Sequence, residues 1–185
     1  MSELAALFIE ESRTLLSGTY LPKIRLACAP LDDASIWWRP NEQSNSVGNL
    51  LLHLTGNVSQ WIVSGVGGAP DHRDRNEEFR HRDIVPRGEL LTRLASALAD
   101  VDRVLATLTP AALLESRRIQ GLDVTVLHAV YHVVEHFGMH TGQIILLAKT
   151  LAPGRIRFYD DADGLARPLW PQASAGDPPP DRRPT

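Results

Sequence analysis

The sequence predicts an all-α protein in which long helices pack as a bundle. Four stretches of the 185-residue chain repeat apolar residues at the three- and four-residue spacing of a helix, and residues that favour turns separate them. The composition, with 43% hydrophobic and 22% charged residues, is that of a globular protein, and a chain of this length can bury one sizeable core. We therefore expect one domain over residues 1–160, with long connections between its helices.

The first two helices have clear limits in the sequence. The first is predicted over residues 3–29, with a bend or break at Pro22, because proline interrupts helical hydrogen bonding. The second is predicted over residues 47–66, since Asn45 and Ser46 can cap its start and glycines follow its end. In the first helix, the apolar positions expected in the core are Leu4, Leu7, Phe8, Leu15, Leu16, Ile24 and Leu26.

The connection from Asp71 to Asp83 is dense in charge and lacks a sustained apolar stripe. Charged runs of this kind are usually solvated, so we expect an exposed loop with His72 and His81 on its surface. The same charges could instead line the mouth of a site or a partner surface.

The second half of the chain carries the other two long helices. The third is predicted over residues 86–108, with Pro86 in its first turn, and the fourth over residues 124–151. Between them the sequence indicates a short helix followed by an irregular turn through Gly121. From Asp160 onward the chain is rich in Asp, Gly and Pro, so residues 161–185 are predicted to form a flexible, Pro-rich tail.

Five of the seven histidines fall in predicted helices: His53 in the second, and His128, His132, His136 and His140 in the fourth. Each four-residue step turns a side chain by about 40° around a helix, so the row drifts by about 120° and cannot all bind one ion. Two neighbouring histidines of the row can bind the same ion, with His53 as a third ligand. Spacing alone leaves open which neighbours pair, and purely structural histidines remain an alternative. Three imidazoles would leave the ion an open position and suit zinc or nickel, with iron and copper also compatible.

Two segments, NSVGNLLLHLTGN at residues 45–57 and HVVEHFGMHTGQI at residues 132–144, resemble the DinB-like superfamily and most closely an uncharacterised bacterial branch of it. The resemblance extends from the first helix to Leu151. It implies a four-helix bundle, commonly a homodimer, which holds one divalent metal ion through a histidine of the second helix and a His-x3-His pair of the fourth. Carried over to this chain, the implied ligands are His53, His136 and His140.

Three further residues are candidates for a catalytic role: His132, Glu135 and Asn57. His132 lies one helical turn before His136, so we expect it beside the ion and not bound to it. Glu135 would be the natural general base, but it lies about 100° from His136 around the helix, which favours a surface position. Asn57 follows His53 by one turn and could orient water or substrate, although a hydrogen bond between helices is the commoner role.

The predicted function is that of a metal-dependent enzyme whose ion activates a low-molecular-weight thiol or a water for thiol transfer or hydrolysis. The resemblance favours the thiol reaction, since some relatives are thiol-dependent transferases or isomerases. The alternatives are a non-catalytic metal-binding or stress-response module with a structural ion, and a plain helical oligomer that binds no metal.

The composition also bears on partners and location. A net charge of −3 without a basic platform argues against nucleic acid as a partner. No apolar run approaches the ~20 residues of a membrane-spanning helix. The single cysteine, Cys28, fits a reducing compartment, so we expect a cytoplasmic protein that acts on a small molecule and forms a homodimer.

Overall fold

The computed structural model describes residues 2–171, and these residues are mainly helical, as predicted. Two small two-stranded sheets, which the helical periodicity of the sequence does not indicate, accompany the helices.

The first helical segment accommodates Pro22 by a change of helix type. Helix α1 (Ser2–Arg13) continues into a π-helical stretch, Thr14–Tyr20, and then into α2 (Leu21–Cys28), with Pro22 in the first turn of α2. Proline lacks an N–H and its ring crowds the carbonyl four residues earlier, so a wider turn just before it relieves both problems. The chain therefore stays helical through the proline.

The core-facing stripe of α1 is offset from the predicted one. Leu4 and Leu7 are exposed, by 73% and 55%, whereas Ala5, Phe8 and Ile9 pack into the core. Both sets recur at three- and four-residue spacing, so periodicity cannot distinguish these adjacent faces and the packing of the rest of the chain decides between them. The prediction of a core position was wrong for Leu4 and Leu7.

After the short helix α3 (Asp33–Trp37), helix α4 (Val47–Val58) begins where the sequence predicted, and a π-helical stretch continues it through Ser64. Its start is a capping box: Ser46 Oγ accepts from the Asn49 N–H at 3.1 Å, and the Ser46 N–H donates to Asn49 Oδ1 at 3.2 Å. Asn49 Nδ2 also donates to the carbonyl oxygens of Glu78 and His81, at 2.9 and 3.1 Å. The start of α4 thus holds the charged connection against the core.

The remaining helices are α5 (Arg75–Arg80), α6 (Arg87–Ala106) and α7 (Val126–Leu151). Helix α4 packs against α5, α6 and α7, and α7 also packs against α2. The space between them is filled by buried aliphatic side chains and by Phe137 of α7. Among the helices of residues 2–171, none has both the length and the apolar character needed to cross a lipid bilayer.

An antiparallel hairpin lies where the sequence predicted an irregular turn. A 3₁₀ turn at Ala112–Leu114 precedes strands β1 (Ser116–Ile119) and β2 (Leu122–Thr125). The two residues between the strands, Gln120 and Gly121, have φ angles of 50° and 78°. Two left-handed residues in succession are the geometry of a tight hairpin turn, and a glutamine there is uncommon.

The C-terminal segment differs from the predicted tail over residues 161–171. Strand β3 (Tyr159–Asp160) pairs with β4 (Arg167–Pro168), and the Leu169 N–H donates to the Phe158 carbonyl oxygen at 2.9 Å. This segment folds back because Phe158 is buried against the core. The rest of the predicted tail, residues 172–185, lies outside the described residues.

Replacing Arg87 by methionine is expected to lower the free energy of unfolding by about 1–3 kcal/mol, measured by urea denaturation. Its Nη1 donates to the carbonyl oxygens of Cys28 and Ala29, at 3.2 and 2.8 Å, and to that of Leu31. Methionine keeps the apolar stem and leaves these carbonyls, at the end of α2 and just after it, without that donor. The matched control is Arg93→Met, which breaks only an exposed ion pair and should change stability by less than about 0.5 kcal/mol. If the two variants lower the free energy of unfolding equally, the hydrogen bonds of Arg87 do not have the stabilising role expected here.

Candidate metal site

Three buried histidines meet between α4 and α7. His53 Nε2 lies 3.0 Å from His136 Nε2, and His140 Nε2 lies 3.1 Å from the same atom. The ligand atoms of all three lie within 4.8 Å of one another, and the residues are between 4% and 9% exposed. Two nitrogens bonded to one ion at about 2.1 Å can be at most about 4.2 Å apart, so the two contacts at His136 fit a shared ion. The structure therefore brings the three predicted ligands together, and they could hold a metal ion.

The outer nitrogens of two of these imidazoles have hydrogen-bond acceptors. His53 Nδ1 lies 2.8 Å from Glu78 Oε2, and His140 Nδ1 lies 2.7 Å from Gln143 Oε1. Each acceptor favours the tautomer with the proton on Nδ1, and at His53 the Glu78 oxygen is closer to Nδ1 than Arg73 Nη2, a donor 3.1 Å away. In this tautomer the Nε2 atoms of His53 and His140 carry lone pairs. Both lone pairs point at His136 Nε2, which can donate one hydrogen at most. A cation at this point would satisfy all three nitrogens at once.

His136 is held in its neutral form. Burial, reinforced by the neighbouring His140 and His53, lowers the pKa of His136 to about 3. Burial also lowers the pKa of His140, although its hydrogen bond to Gln143 acts in the opposite direction. Neutral imidazole is the form that binds metal, so at neutral pH His136 and His140 need no deprotonation before binding. Among the described residues, His136 Nδ1 has no hydrogen-bond partner.

A buried ion pair supports His53 from the far side. Arg73 Nε donates to Glu78 Oε1 at 2.7 Å and Arg73 Nη2 donates to Glu78 Oε2 at 2.9 Å, while Oε2 also accepts from His53 Nδ1. The Arg73 and Glu78 side chains are only 3% and 9% exposed. Burial alone would raise the pKa of Glu78, but the hydrogen bonds from Arg73 and His53 outweigh it and lower that pKa. Glu78 is therefore an ionised acceptor that fixes the His53 ring, a common arrangement around metal ligands.

Arg73 and Glu78 correct the prediction of a solvated loop over residues 71–83. The sequence shows that a helix could start there, because Asp74 is followed by Glu77 at capping-box spacing, and the Glu77 N–H does donate to Asp74 Oδ1 at 3.0 Å. No signal in the sequence marks Glu78 as buried. His81, predicted to be solvated, is also partly buried, with its ring 5.1 Å from that of Trp37.

The polar network reaches the β1–β2 hairpin. Arg73 Nη1 donates to Gln60 Oε1 at 3.0 Å. Gln120 Nε2 of the hairpin turn donates to the same oxygen, Gln60 Oε1. Gln120, the left-handed residue of the hairpin turn, thus contacts the hydrogen-bond network of Arg73 and Glu78 behind His53. Residues of the π-helical stretch after α4, of the charged connection and of the hairpin turn therefore hold one another in place behind His53.

The candidate catalytic residues differ in their position. The His132 ring is 4.1 Å from the Trp61 ring and 5.5 Å from that of His136, beside the cluster but outside it, and burial lowers its pKa. Asn57 is buried, and its Oδ1 has no partner among the described residues. Glu135 is exposed, in agreement with its angular position, and His128 is exposed as well. A catalytic role for any of them stays a prediction.

Gly56→Ala is expected to weaken metal binding although Gly56 is not a ligand. A Cβ at this position would lie 1.9 Å from Glu78 Oε1, so the carboxylate would have to leave its place beside His53. Losing such a supporting group typically lowers metal affinity by about 10- to 100-fold, which a competition titration with a chromophoric chelator would measure. Gly142→Ala is the matched control, because its Cβ would meet nothing within 4 Å. If Gly56→Ala binds metal as tightly as Gly142→Ala does, Glu78 has no supporting role.

The fold and the site define a mainly helical protein with a buried cluster of three histidines that could bind a metal ion. The chain belongs to the family described as "Protein of unknown function (DUF1572)", which matches residues 3–159. It is similar in structure to a conserved protein from Enterococcus faecalis known from a crystal structure, with a TM-score of 0.56 over 80% of this chain and 95% of that one. The two are 15% identical, so the likeness concerns the fold alone. No curated protein shows significant similarity to the chain.

Proposed function

We propose that this protein is a DinB-like metal-dependent enzyme. In this proposal residues 1–160 form one four-helix-bundle domain, and His53, His136 and His140 bind one divalent ion, zinc or nickel. The single observation that carries the proposal is the convergence of the three Nε2 atoms, two of them with acceptors behind their Nδ1 atoms. A divalent ion held this way would lower the pKa of a thiol or water bound in its remaining position.

Three protein ligands leave room for a substrate. Within residues 2–171, the only group of three or more potential ligand side chains consists of these histidines. Glu78, the nearest carboxylate to them in the hydrogen-bond network, directs its oxygens to Arg73 and to His53 Nδ1. An ion with three ligands is typical of catalytic sites, whereas structural sites have four. The ligand set therefore supports an enzyme.

The carboxylates near the histidines offer no free base, which leaves His132 as the candidate base and favours a thiol as the substrate. A hydrolase needs a group that accepts a proton from the attacking water, but Glu78 is already fully engaged and Glu135 is exposed. His132 and Asn57 remain as the candidates to contact substrate. A thiol needs less help, because its pKa is closer to neutrality than that of water. We propose low-molecular-weight thiol transfer as the reaction, with hydrolysis as the second choice.

The burial of the cluster favours one alternative, a non-catalytic module with a structural ion. The three histidines are at most 9% exposed, which restricts access to any bound ion. In that case the ion would raise the melting temperature and would bind no external thiol.

Cobalt substitution distinguishes a thiol-transferring enzyme from a module with a structural ion. We expect dithiothreitol or cysteine to change the visible spectrum of the Co²⁺-loaded protein by adding a thiolate-to-metal band, and His136→Ala to show neither metal nor band. The loaded protein should then conjugate one of a panel of thiols to 1-chloro-2,4-dinitrobenzene. A spectrum that no thiol alters, together with no turnover, would leave the structural module as the function.

We also propose that the protein forms a homodimer through the outer face of α7. Four large apolar side chains are exposed along this helix, each by 41% or more: Leu127, Tyr131, Met139 and Leu146. Exposed apolar rows of this kind are typical of protein–protein interfaces. Light scattering should give a dimer for the wild type and a monomer for Tyr131→Glu with Leu146→Glu; a wild-type monomer would contradict the proposal.

A further inference from the structure

A cavity of about 410 Å³ lies on the side of α7 that faces away from the histidines. Its walls come from α2, from α7 and from the segment that follows α7. Lys149, on its wall, is nine residues after His140, which places it about 180° around the helix and about 13 Å further along it. The volume is in the range of small-molecule sites, which is roughly 300–1,000 Å³. The cavity is thus distinct from the candidate metal site and does not depend on it.

Positively charged side chains line the cavity. The sequence contains only two lysines, Lys23 and Lys149, and both of them line it. Arg157 lines it too, but its Nη2 lies 3.6 Å from Asp160 Oδ1 and 3.9 Å from Asp161 Oδ1, so its charge is largely balanced. Within residues 2–171, no carboxylate lies within 4.0 Å of either lysine. Asp161 also lines the cavity, so the lining carries three positive charges and one negative charge, and Asp160 beside it adds a second carboxylate. The excess positive charge that remains comes from the two ammonium groups.

The cavity also has an apolar lining. Ile145, Ile156 and Phe158 contribute to its wall, and the last two are almost fully buried. Lys149 Nζ lies 5.5 Å from the centre of the Phe158 ring, and Lys23 Nζ lies 4.1 Å from the centre of the Trp170 ring. Contacts of an ammonium with an aromatic face restrict where a flexible lysine can place its charge. Both ammonium groups thus lie over aromatic rings, and the same cavity has an apolar wall.

We propose that this cavity binds a small organic anion that carries an apolar group, with its carboxylate between Lys23 and Lys149 and its apolar part on Ile145, Ile156 and Phe158. Two ammonium groups would form charge-assisted hydrogen bonds to the carboxylate, and the aliphatic and aromatic wall would remove the apolar part from water. Residues 156–161, which include strand β3, form one wall of the cavity, so the segment after α7 is part of the site.

Isothermal titration of the full chain with octanoate tests the proposal. Octanoate should bind, and 1-octanol, which has the same chain without the charge, should bind at least about tenfold more weakly. Inorganic phosphate, which has charge without an apolar part, should also bind at least about tenfold more weakly. Lys23→Met and Lys149→Met should each lower octanoate affinity by about tenfold, because each removes one charge-assisted hydrogen bond while keeping an apolar stem.

Arg118→Met is the control, since Arg118 is exposed on the β1–β2 hairpin and should leave octanoate binding unchanged. Thermal melts of all the variants show whether the fold is kept. The proposal is overturned if octanoate gives no heat of binding at millimolar concentration, if 1-octanol or phosphate binds as tightly, or if both folded lysine variants bind octanoate like the wild type.

Discussion

Glu78→Gln should cost about 3–5 kcal/mol of the free energy of unfolding, because it leaves the buried Arg73 guanidinium without a counter-charge. Glutamine has nearly the same shape as glutamate, so lost packing contributes little. The same change removes the ionised acceptor of His53 Nδ1 and should weaken metal binding by about 10- to 100-fold. Urea denaturation and a chelator competition titration measure the two effects separately.

The double variant Arg73→Met with Glu78→Leu distinguishes the two roles of Glu78. Replacing both charges by apolar side chains of similar size often restores stability, so this variant should recover most of the lost free energy. Its metal affinity should remain low, because His53 Nδ1 still lacks its acceptor. If metal affinity recovers together with stability, Glu78 acts only through the fold, and its proposed support of His53 is wrong.

The second large effect is a loss of stability in acid for the metal-free protein. The pKa of His136 is about 3 in the folded chain, against 6.5 for an ordinary histidine, so below pH 6.5 the unfolded chain binds a proton that the folded chain excludes. The stability associated with neutral His136 is present above pH 6.5 and falls by about 1.4 kcal/mol per pH unit below it. Between pH 6.5 and 4.5 the loss should reach about 3 kcal/mol, and the lowered pKa values of His140 and His132 add to it.

This pH dependence is measured by urea denaturation in the presence of a chelator at several values between pH 7 and 4.5. His136→Gln cannot take up the proton, so its stability should fall less steeply over the same interval. A wild-type protein that is as stable at pH 5 as at pH 7, or a His136→Gln variant with an unchanged slope, would contradict the assignment of His136 as a neutral, buried histidine.

The parts of the fold that follow local rules could be predicted from the sequence. Ser46 caps α4 and Thr125 caps α7, both within two residues of the predicted starts, because a capping side chain acts on the backbone beside it. The candidate metal ligands were predicted in two steps. Helical spacing limited the fourth-helix ligands to neighbouring pairs, and only the resemblance to a known superfamily selected His136 and His140.

The parts that depend on contacts between distant segments could not be predicted. Glu78 is buried because Gly56 leaves space for its carboxylate and because Asn49 holds its backbone, and neither contact is visible in a charged run. The prediction that Leu4 and Leu7 lie in the core was wrong because α1 has apolar residues on two adjacent faces. Only the packing of α1 against distant parts of the chain decides which face is buried. The strand pair β3–β4 is too short for any periodicity to indicate it.

The central claim is that His53, His136 and His140 bind one divalent ion, and elemental analysis of the purified protein tests it most directly. We predict about one zinc or nickel ion per chain in protein prepared without chelator, and its loss in His136→Ala. His128→Ala, which removes an exposed histidine from the same helix, should keep the ion. A wild-type protein that contains no metal and takes up neither zinc nor nickel, or a His136→Ala variant with a full complement of metal, would contradict the claim.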